Sequence, residues 1–583
     1  LRLKAGIPAP ASGSIALNGR VVAEQIGAQI FIDGWGLICP GDPERAADLA
    51  RRAASVSHDG EAIYGAQVVA GLVAQAFVES RVPALLDTAT SLIPGDSLIY
   101  RLIGDVREWH ARYPSWYDTL HRVAERYGYD KYGGNCHMIP NHAVVIMALL
   151  YSEGGFAQGM TVVNTAGWDT DCNSGNVGCI LGVANGLAGL EEGPDWRGPV
   201  GDRMVLPTAD TGRAVTDAAN EAQRVASIGC DLAGIELRAL KGGARYHFEL
   251  PGSVQGFLVD GAPECRGIAS LCNVPGHSAT GTRSLKIALQ GLARGRSARV
   301  RRETYPDMGD SGGYRMVASP TLYPGQTVRA RVVADEQNGP SLHGRLYIQV
   351  AGAEDRLESL YGPAFELAAG QSSEIAWQVT APEGCPIHWL GLEFASERRF
   401  DGAVYLDYLT WDGEPNLGLG RPAHGGTQWL KAWTRACSVL TTHPEDTYRM
   451  IQNEGRGLMI QGTREWRDYT VEATLTANLA RSMGIAARVQ GLKRYYALEL
   501  GEGTVRLVRE RYGTTVLASC AYDWSLYRPY RLSLTVSGTR LVGRLDDQVL
   551  FDLADDSDIR DGAVAIVLEE GRIGCGNVCV QPD

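Results

Sequence analysis

Gly167-Trp168-Asp169-Thr170-Asp171-Cys172-Asn173-Ser174-Gly175 is a glycine-bounded turn that carries two aspartates one residue apart and runs into an apolar stretch. Two readings of these residues stand side by side. Asp171, Asn173 or Ser174 can accept hydrogen bonds from the first free N–H groups of a helix. Alternatively, Asp169 and Asp171 can aim two short carboxylates at one hard cation, an oxygen environment suited to Mg²⁺. The stretch that follows, Ser174 to Leu190, has helical spacing with Gly178, Gly182 and Gly186 at four-residue steps. Glycine lowers helix propensity, so this ladder predicts a helix whose backbone approaches a neighbour closely.

Upstream, residues from about 20 to 190 read as helices. Asp42-Pro43-Glu44 is a helix start, with an acidic cap, proline in the first turn and a second acid. Ala46, Ala47, Leu49, Ala50, Ala53 and Ala54 then form a small-residue face. Further helices are predicted over Ile63 to Phe77, around Leu102, Ile103, Val106 and Trp109, after Ser115, and from Asn141 through Ala143 to Leu150.

Beyond about residue 235 the period changes from helical to alternating. Tyr246, Phe248 and Leu250 alternate, as do Val328, Ala330 and Val332, then Leu346, Ile348 and Val350. Ala403 to Leu409 reads as a closing strand, and Glu414 to Gly426 as a Gly/Pro linker. Strands are then expected at Tyr469 to Leu475, Gly484 to Val489, Tyr495 to Leu500, Val505 to Arg509, Tyr530 to Val536 and Ala563 to Leu568. The fold class expected is multidomain: an all-α domain over 1–235, then all-β sandwiches over 236–415 and 416–583. A chain of 583 residues exceeds what one core supports.

The net charge of −12 argues against a basic nucleic-acid-binding face. No apolar run of about 18 residues suggests a membrane span. Twelve cysteines include no CxxC pair, so a structural zinc framework is not indicated and most read as small buried thiols.

Asp169-Thr170-Asp171 resembles the C-terminal metal motif of the ADP-ribosylglycohydrolase family. Ile26-Gly27-Ala28-Gln29, Pro40-Gly41-Asp42-Pro43, Ser57-His58 and Tyr64-Gly65-Ala66 resemble the family's middle section in order and spacing, and His137 to Asn141 is similar to a segment of one branch. With these ordered motifs added, the metal reading is the stronger one. The resemblance implies two magnesium ions that hold the ribose while water cleaves a C1″ glycosidic bond. It makes Asp169, Asp171 and the residue at Cys172 metal ligands, and His58 a substrate-binding residue. Cys172 stands where the family has Thr or Ser. A thiol is a poor ligand for a hard cation, so Asn173 is a substitute ligand to consider. The family's Thr-Asp-Asp triplet and catalytic acidic residue have no counterpart in residues 1–20, so they are expected upstream of Leu1.

Gly281 to Ile287 and the strand ending at Tyr408 are similar to jelly-roll carbohydrate-binding modules. Tyr495 to Leu500, Trp524 and Gly562 to Cys575 resemble laminin-G or concanavalin-like sandwiches. Trp389, Trp429, Trp433, Trp466 and Trp524 are candidate stacking platforms, weighed against the common role of tryptophan as sandwich core. The expected activity is a Mg-dependent glycosyl hydrolase acting on an ADP-ribose-like or glycan ligand. The alternative is a non-catalytic carbohydrate-binding protein with a degenerate helical domain.

Overall fold

The computed structural model describes residues 2–3, 5–206, 211–306, 317–339 and 341–583. They divide into two compact units, one of Leu1–Pro199 with Glu221–Arg238, the other of Val200–Asn220 with Ala239–Asp583.

The first unit is helical. Asp42 caps the Pro43–Ala54 helix by accepting from the Arg45 N–H at 3.1 Å. Its buried face, Ala46, Ala47, Ala50 and Ala54, packs on the Glu61–Ala76 helix. Two helices are apolar nearly all round and form the centre, as such patterning requires: Glu61–Ala76, and Met138–Tyr151, in which every residue is buried. Glu61 serves a neighbour as well, accepting from Leu98 N at 3.0 Å and Ile99 N at 2.9 Å at the start of the Leu98–Arg112 helix. Ser115 caps Trp116–Tyr127, as its sequence context predicts.

Two helical expectations need correction. The helix predicted from Asn141 starts at Met138, because His137 accepts from Ile139 N at 3.2 Å and supplies the cap. The glycine ladder does not mark close backbone approach. Side chains added at Gly178 and Gly182 would meet Met160 and Phe156 at ordinary contact distances of 3.4 to 3.9 Å. Gly186 instead interrupts the Thr170–Glu191 helix, with φ 61° and ψ −161°, a conformation open to glycine.

The second unit is β. One five-stranded antiparallel sheet runs in the order Ser372–Gln378, Thr327–Ala334, Phe400–Asp412, Arg283–Leu292, Ala269–Pro275. A second runs Leu258–Val259, Ala298–Glu303, Ile387–Ala395, Leu342–Ala351, Leu357–Leu367. Alternate residues of both, among them Val328, Ala330, Val332, Leu346, Ile348 and Val350, meet in one core. The strand containing Ala403 to Leu409 is the central strand of its sheet, not a closing one. A register shift between Leu406 and Tyr408 places Asp407 in a bulge, so the buried set steps from Val404 and Leu406 to Leu409 and Trp411. Tyr246 to Leu250 is not a strand: Tyr246 makes an isolated bridge to Leu409, and Phe248 has φ 57°.

Arg203–Val205 and Val215–Asp217 pair as a small two-stranded antiparallel sheet, and the other strands form one twelve-stranded antiparallel sheet around a separate core that includes Trp466, Tyr469, Leu498 and Ile566. The stretches predicted separately at 469–475 and 484–489 are one strand, Tyr469–Val489, paired along most of its length with Ala563–Pro582. Register shifts near Leu475 and Leu479 bend it and allow this length. Leu417–Leu419, read as linker, is a short strand on Val578–Val580. The fold is a helical domain followed by sandwich-like β-sheets.

Candidate functional site

The turn at Gly167 to Asp171 positions the candidate metal ligands. Asp169 occupies the N-cap of Thr170–Glu191 in the left-handed region, φ 41° and ψ 53°, and its side chain makes no capping bond. Aspartate tolerates this conformation better than most residues. The carboxylate is therefore turned away from the helix end, and Oδ2 is buried without a hydrogen-bond partner. Asp171 and Cys172 follow in the first helical turn, and ligand atoms of Asp169, Asp171 and Cys172 lie within 4.8 Å of one another. The capping role considered for Asp171, Asn173 and Ser174 is not what these side chains do. Ser174 Oγ donates to Asp171 O at 3.3 Å, and Asn173 Nδ2 donates to Trp168 O at 2.7 Å and to Asn141 Oδ1 at 3.1 Å.

A fourth group joins them from outside the motif. Cys136, in the segment before the Met138–Tyr151 helix, is within hydrogen-bonding reach of the Asp169 carboxylate. The charges here are poorly compensated. Burial first, then Asp169 and Asp171, push the Cys172 thiol up to about 12. Burial also raises Asp169 and Cys136. Removing water from the Asp169 carboxylate and the two thiols disfavours their anions. A cation would reverse that balance. Asn173 is fully buried, and its Oδ1 has no partner.

His58 sits between the Pro43–Ala54 and Glu61–Ala76 helices, its N–H bonded to Ala54 O at 2.9 Å. Ser57 Oγ lies 2.8 Å from Nδ1, and burial lowers the imidazole pKa. Gly27 leaves room for the ring, because a Cβ there would stand 2.9 Å from Cε1 and Nε2. His58 is not a member of the Asp169 cluster.

A second polar constellation was not evident from sequence. His142 Nδ1 meets Gln29 Oε1 at 2.7 Å, so Nδ1 carries the proton and Nε2 is a buried acceptor with no partner. Gln29 Nε2 donates to Asn176 Oδ1 at 3.1 Å, and Asn176 Nδ2 donates to both Asp33 oxygens at 3.0 and 3.1 Å. Burial carries the Asp33 carboxyl to about 7, against the opposing pull of the Asn176 bond. Asn176 lies on the helix that carries Asp171. Periodicity hid these residues, since His142 stands in an otherwise apolar run and Gln29 in a short helix.

The candidate stacking tryptophans divide by burial. Trp429, Trp433 and Trp466 are core residues, and Trp524 packs partly buried against the same core. Trp389 is half-buried on the outer face of its sheet, with the Arg301 guanidinium 4.1 Å from its ring centroid. All twelve cysteines are free; four are buried, seven are intermediate and Cys272 is exposed, so the expectation of mostly buried thiols holds only in part. Among the described residues no helix is long and apolar enough to cross a membrane.

Residues 1–227 match the family model described as ADP-ribosylglycohydrolase. No curated protein matches the chain. Among solved structures, the chain is similar to the carbohydrate-binding module CBM66 from Bacillus subtilis, at 19% identity over 26% of this chain and 94% of that one, TM-score 0.24. It is also similar to the CBM22-1–CBM22-2 tandem of Paenibacillus barcinonensis Xyn10C, at 9% identity over 58% and 96%, TM-score 0.22. A Bacillus subtilis protein with a galectin-like fold matches at 12% identity over 27% and 91%, TM-score 0.22. These likenesses are weak, and the sandwich description rests on the strand order above.

Proposed function

On the match of residues 1–227 to the ADP-ribosylglycohydrolase family model, we propose that the chain is a metal-dependent glycohydrolase that cleaves the C1″ glycosidic bond of an ADP-ribosyl or related glycosyl conjugate. The observation that carries this reading is the Asp169 cluster: three ligand-bearing side chains within 4.8 Å of one another, one with a buried oxygen that no protein group satisfies. Buried polar atoms are normally paired, and a bound cation would complete this one. His58 is proposed to contact substrate from the adjacent helical framework.

The resemblance carries magnesium, with two ions, as the cofactor. Asp169 and Asp171 are the hard oxygen donors that such an ion takes, but the Cys172 thiol does not fit it. Bound metal would supply charge for holding the ribose hydroxyls and orienting water. This chain's part is to fix the two carboxylates at a helix start while keeping them off the backbone N–H groups.

The test is calorimetric titration of the full chain with ADP-ribose, with and without divalent cation. Binding should require the cation and be lost in Asp169→Asn; unchanged affinity in that variant overturns the reading. A second reading, a glycan-binding protein whose helical domain is catalytically silent, is favoured by Cys172 in the ligand set. It predicts glycan binding that Asp169→Asn leaves intact.

A further inference from the structure

We infer that the Asp169–Asp171–Cys172 cluster, with Cys136 beside it, is built for a thiolate-accepting cation of the Zn²⁺ class rather than for Mg²⁺. The inference rests on the proposed function only in taking this cluster as a metal site, and it adds which metal. Two carboxylates alone would suit Mg²⁺ or Ca²⁺. Here two sulfurs accompany them: Cys172 within the ligand set, and Cys136 within reach of the Asp169 carboxylate. Mixed sulfur and oxygen donors are the environment of borderline cations, whereas a hard octahedral ion gains little from sulfur.

The geometry agrees. Tetrahedral zinc with one sulfur and two oxygens places its donors about 3.5 Å apart, from bond lengths of roughly 2.0 and 2.3 Å. The ligand atoms of Asp169, Asp171 and Cys172 already lie within 4.8 Å of one another, little more than that spacing. The two sulfurs come from different segments, the entry to the Met138–Tyr151 helix and the first turn of Thr170–Glu191. Asn141 and Asn173 tie those helices together through a 3.1 Å hydrogen bond, with Cys136 beside the ligand set and Cys172 its sulfur member. The buried Asp169 Oδ2, which has no hydrogen-bond partner, also marks the place as short of one. Each thiol that coordinates does so as thiolate, releasing one proton to solvent per sulfur–metal bond formed.

The experiment uses Co²⁺ as a spectroscopic stand-in for Zn²⁺ on the full chain, with parallel calorimetry of Zn²⁺ and Mg²⁺. The wild type should develop a thiolate-to-cobalt charge-transfer band. Cys172→Ser should lose or weaken that band and narrow the Zn²⁺-over-Mg²⁺ affinity ratio by about tenfold or more, in keeping with the usual cost of disturbing a ligand shell. Cys172 is only partly buried, so serine is tolerated, and unchanged helical circular dichroism checks this. The wild-type spectrum needs no variant at all. Absence of the band in the wild type overturns the inference, as does a band and affinity ratio that Cys172→Ser leaves unchanged. Failure here is distinct from failure of the functional reading. ADP-ribose binding that needs Mg²⁺, without a thiolate band, refutes the choice of metal alone. A thiolate band without ADP-ribose binding supports the metal and refutes the substrate.

Discussion

Replacing Asp33 by asparagine should stabilise the helical unit at neutral and alkaline pH far more than at acid pH. Asp33 is largely withdrawn from water, and its carboxyl is carried from 3.8 to about 7, with burial the leading cause. In the unfolded chain it titrates at about 3.9. The folded value lies above the unfolded one, so the associated stability is fully present below about pH 3.9. It drains away as pH rises toward 7 and is constant above that. The full excursion is on the order of 4 kcal/mol. Residual solvent contact reduces this to roughly 2–4 kcal/mol. Asparagine copies the neutral acid at every pH and still offers Asn176 an acceptor. The gap between Asp33→Asn and wild type should therefore be about 1 kcal/mol at pH 5 and grow by about 2 kcal/mol by pH 8. Urea unfolding followed at the helical circular-dichroism band reads the helical unit selectively, because the second unit is almost entirely β. A gap that stays constant between pH 5 and pH 8, or that shrinks, refutes the reasoning. A confirmed gap would place a carboxyl poised near neutrality on the hydrogen-bonded network that reaches the helix carrying Asp171, a setting associated with functional sites.

Lys241 is wholly buried, with its ammonium 2.7 Å from Asp407 Oδ1, 3.2 Å from Glu249 Oε1, and 2.6 Å from the Arg283 and Asp407 carbonyls. Lys241→Met should strip this cation from Glu249 and the two carbonyls, leave Asp407 to the Arg331 cation at 2.9 Å, and lower the sandwich's stability by about 3–5 kcal/mol, seen as a lower-temperature transition in calorimetry. Gly36→Ala should cost about 1–3 kcal/mol in helical-unit unfolding, because its Cβ would fall 2.6 Å from both Ala70 O and Val73 Cβ. For glycan binding on an array, Trp389→Ala should matter, while Trp466→Phe, a core change, should alter thermal stability and leave the binding pattern unchanged.

Where local chemistry decides a helix boundary, reading it from sequence succeeds. Asp42-Pro43 and Ser115 start helices as their side chains dictate, and the change from helical to alternating period marks the passage to β structure. The Asp-x-Asp turn was likewise legible as a helix entry, since Asp169 stands at the N-cap of Thr170–Glu191. Long-range pairing, by contrast, left no local trace. Nothing in residues 476–483 announces that two strand candidates are one, because the continuity is enforced by the Ala563–Pro582 partner. Asp407 looked like one polar position in an alternating strand until the bulge gave it a buried lysine.

The sequence alone was therefore enough to give the order of a helical domain and a following β region, and to put Asp169, Asp171 and Cys172 together as one candidate ligand set, because caps, periodicity and motif spacing act within a few residues. Only the tertiary structure brought Cys136 to Asp169 across more than thirty residues, joined Gln29 and Asp33 to Asn176 and His142, and separated core tryptophans from the one on an outer face. Those outcomes depend on which surfaces lose water together, and desolvation is a property of the packed whole rather than of any segment.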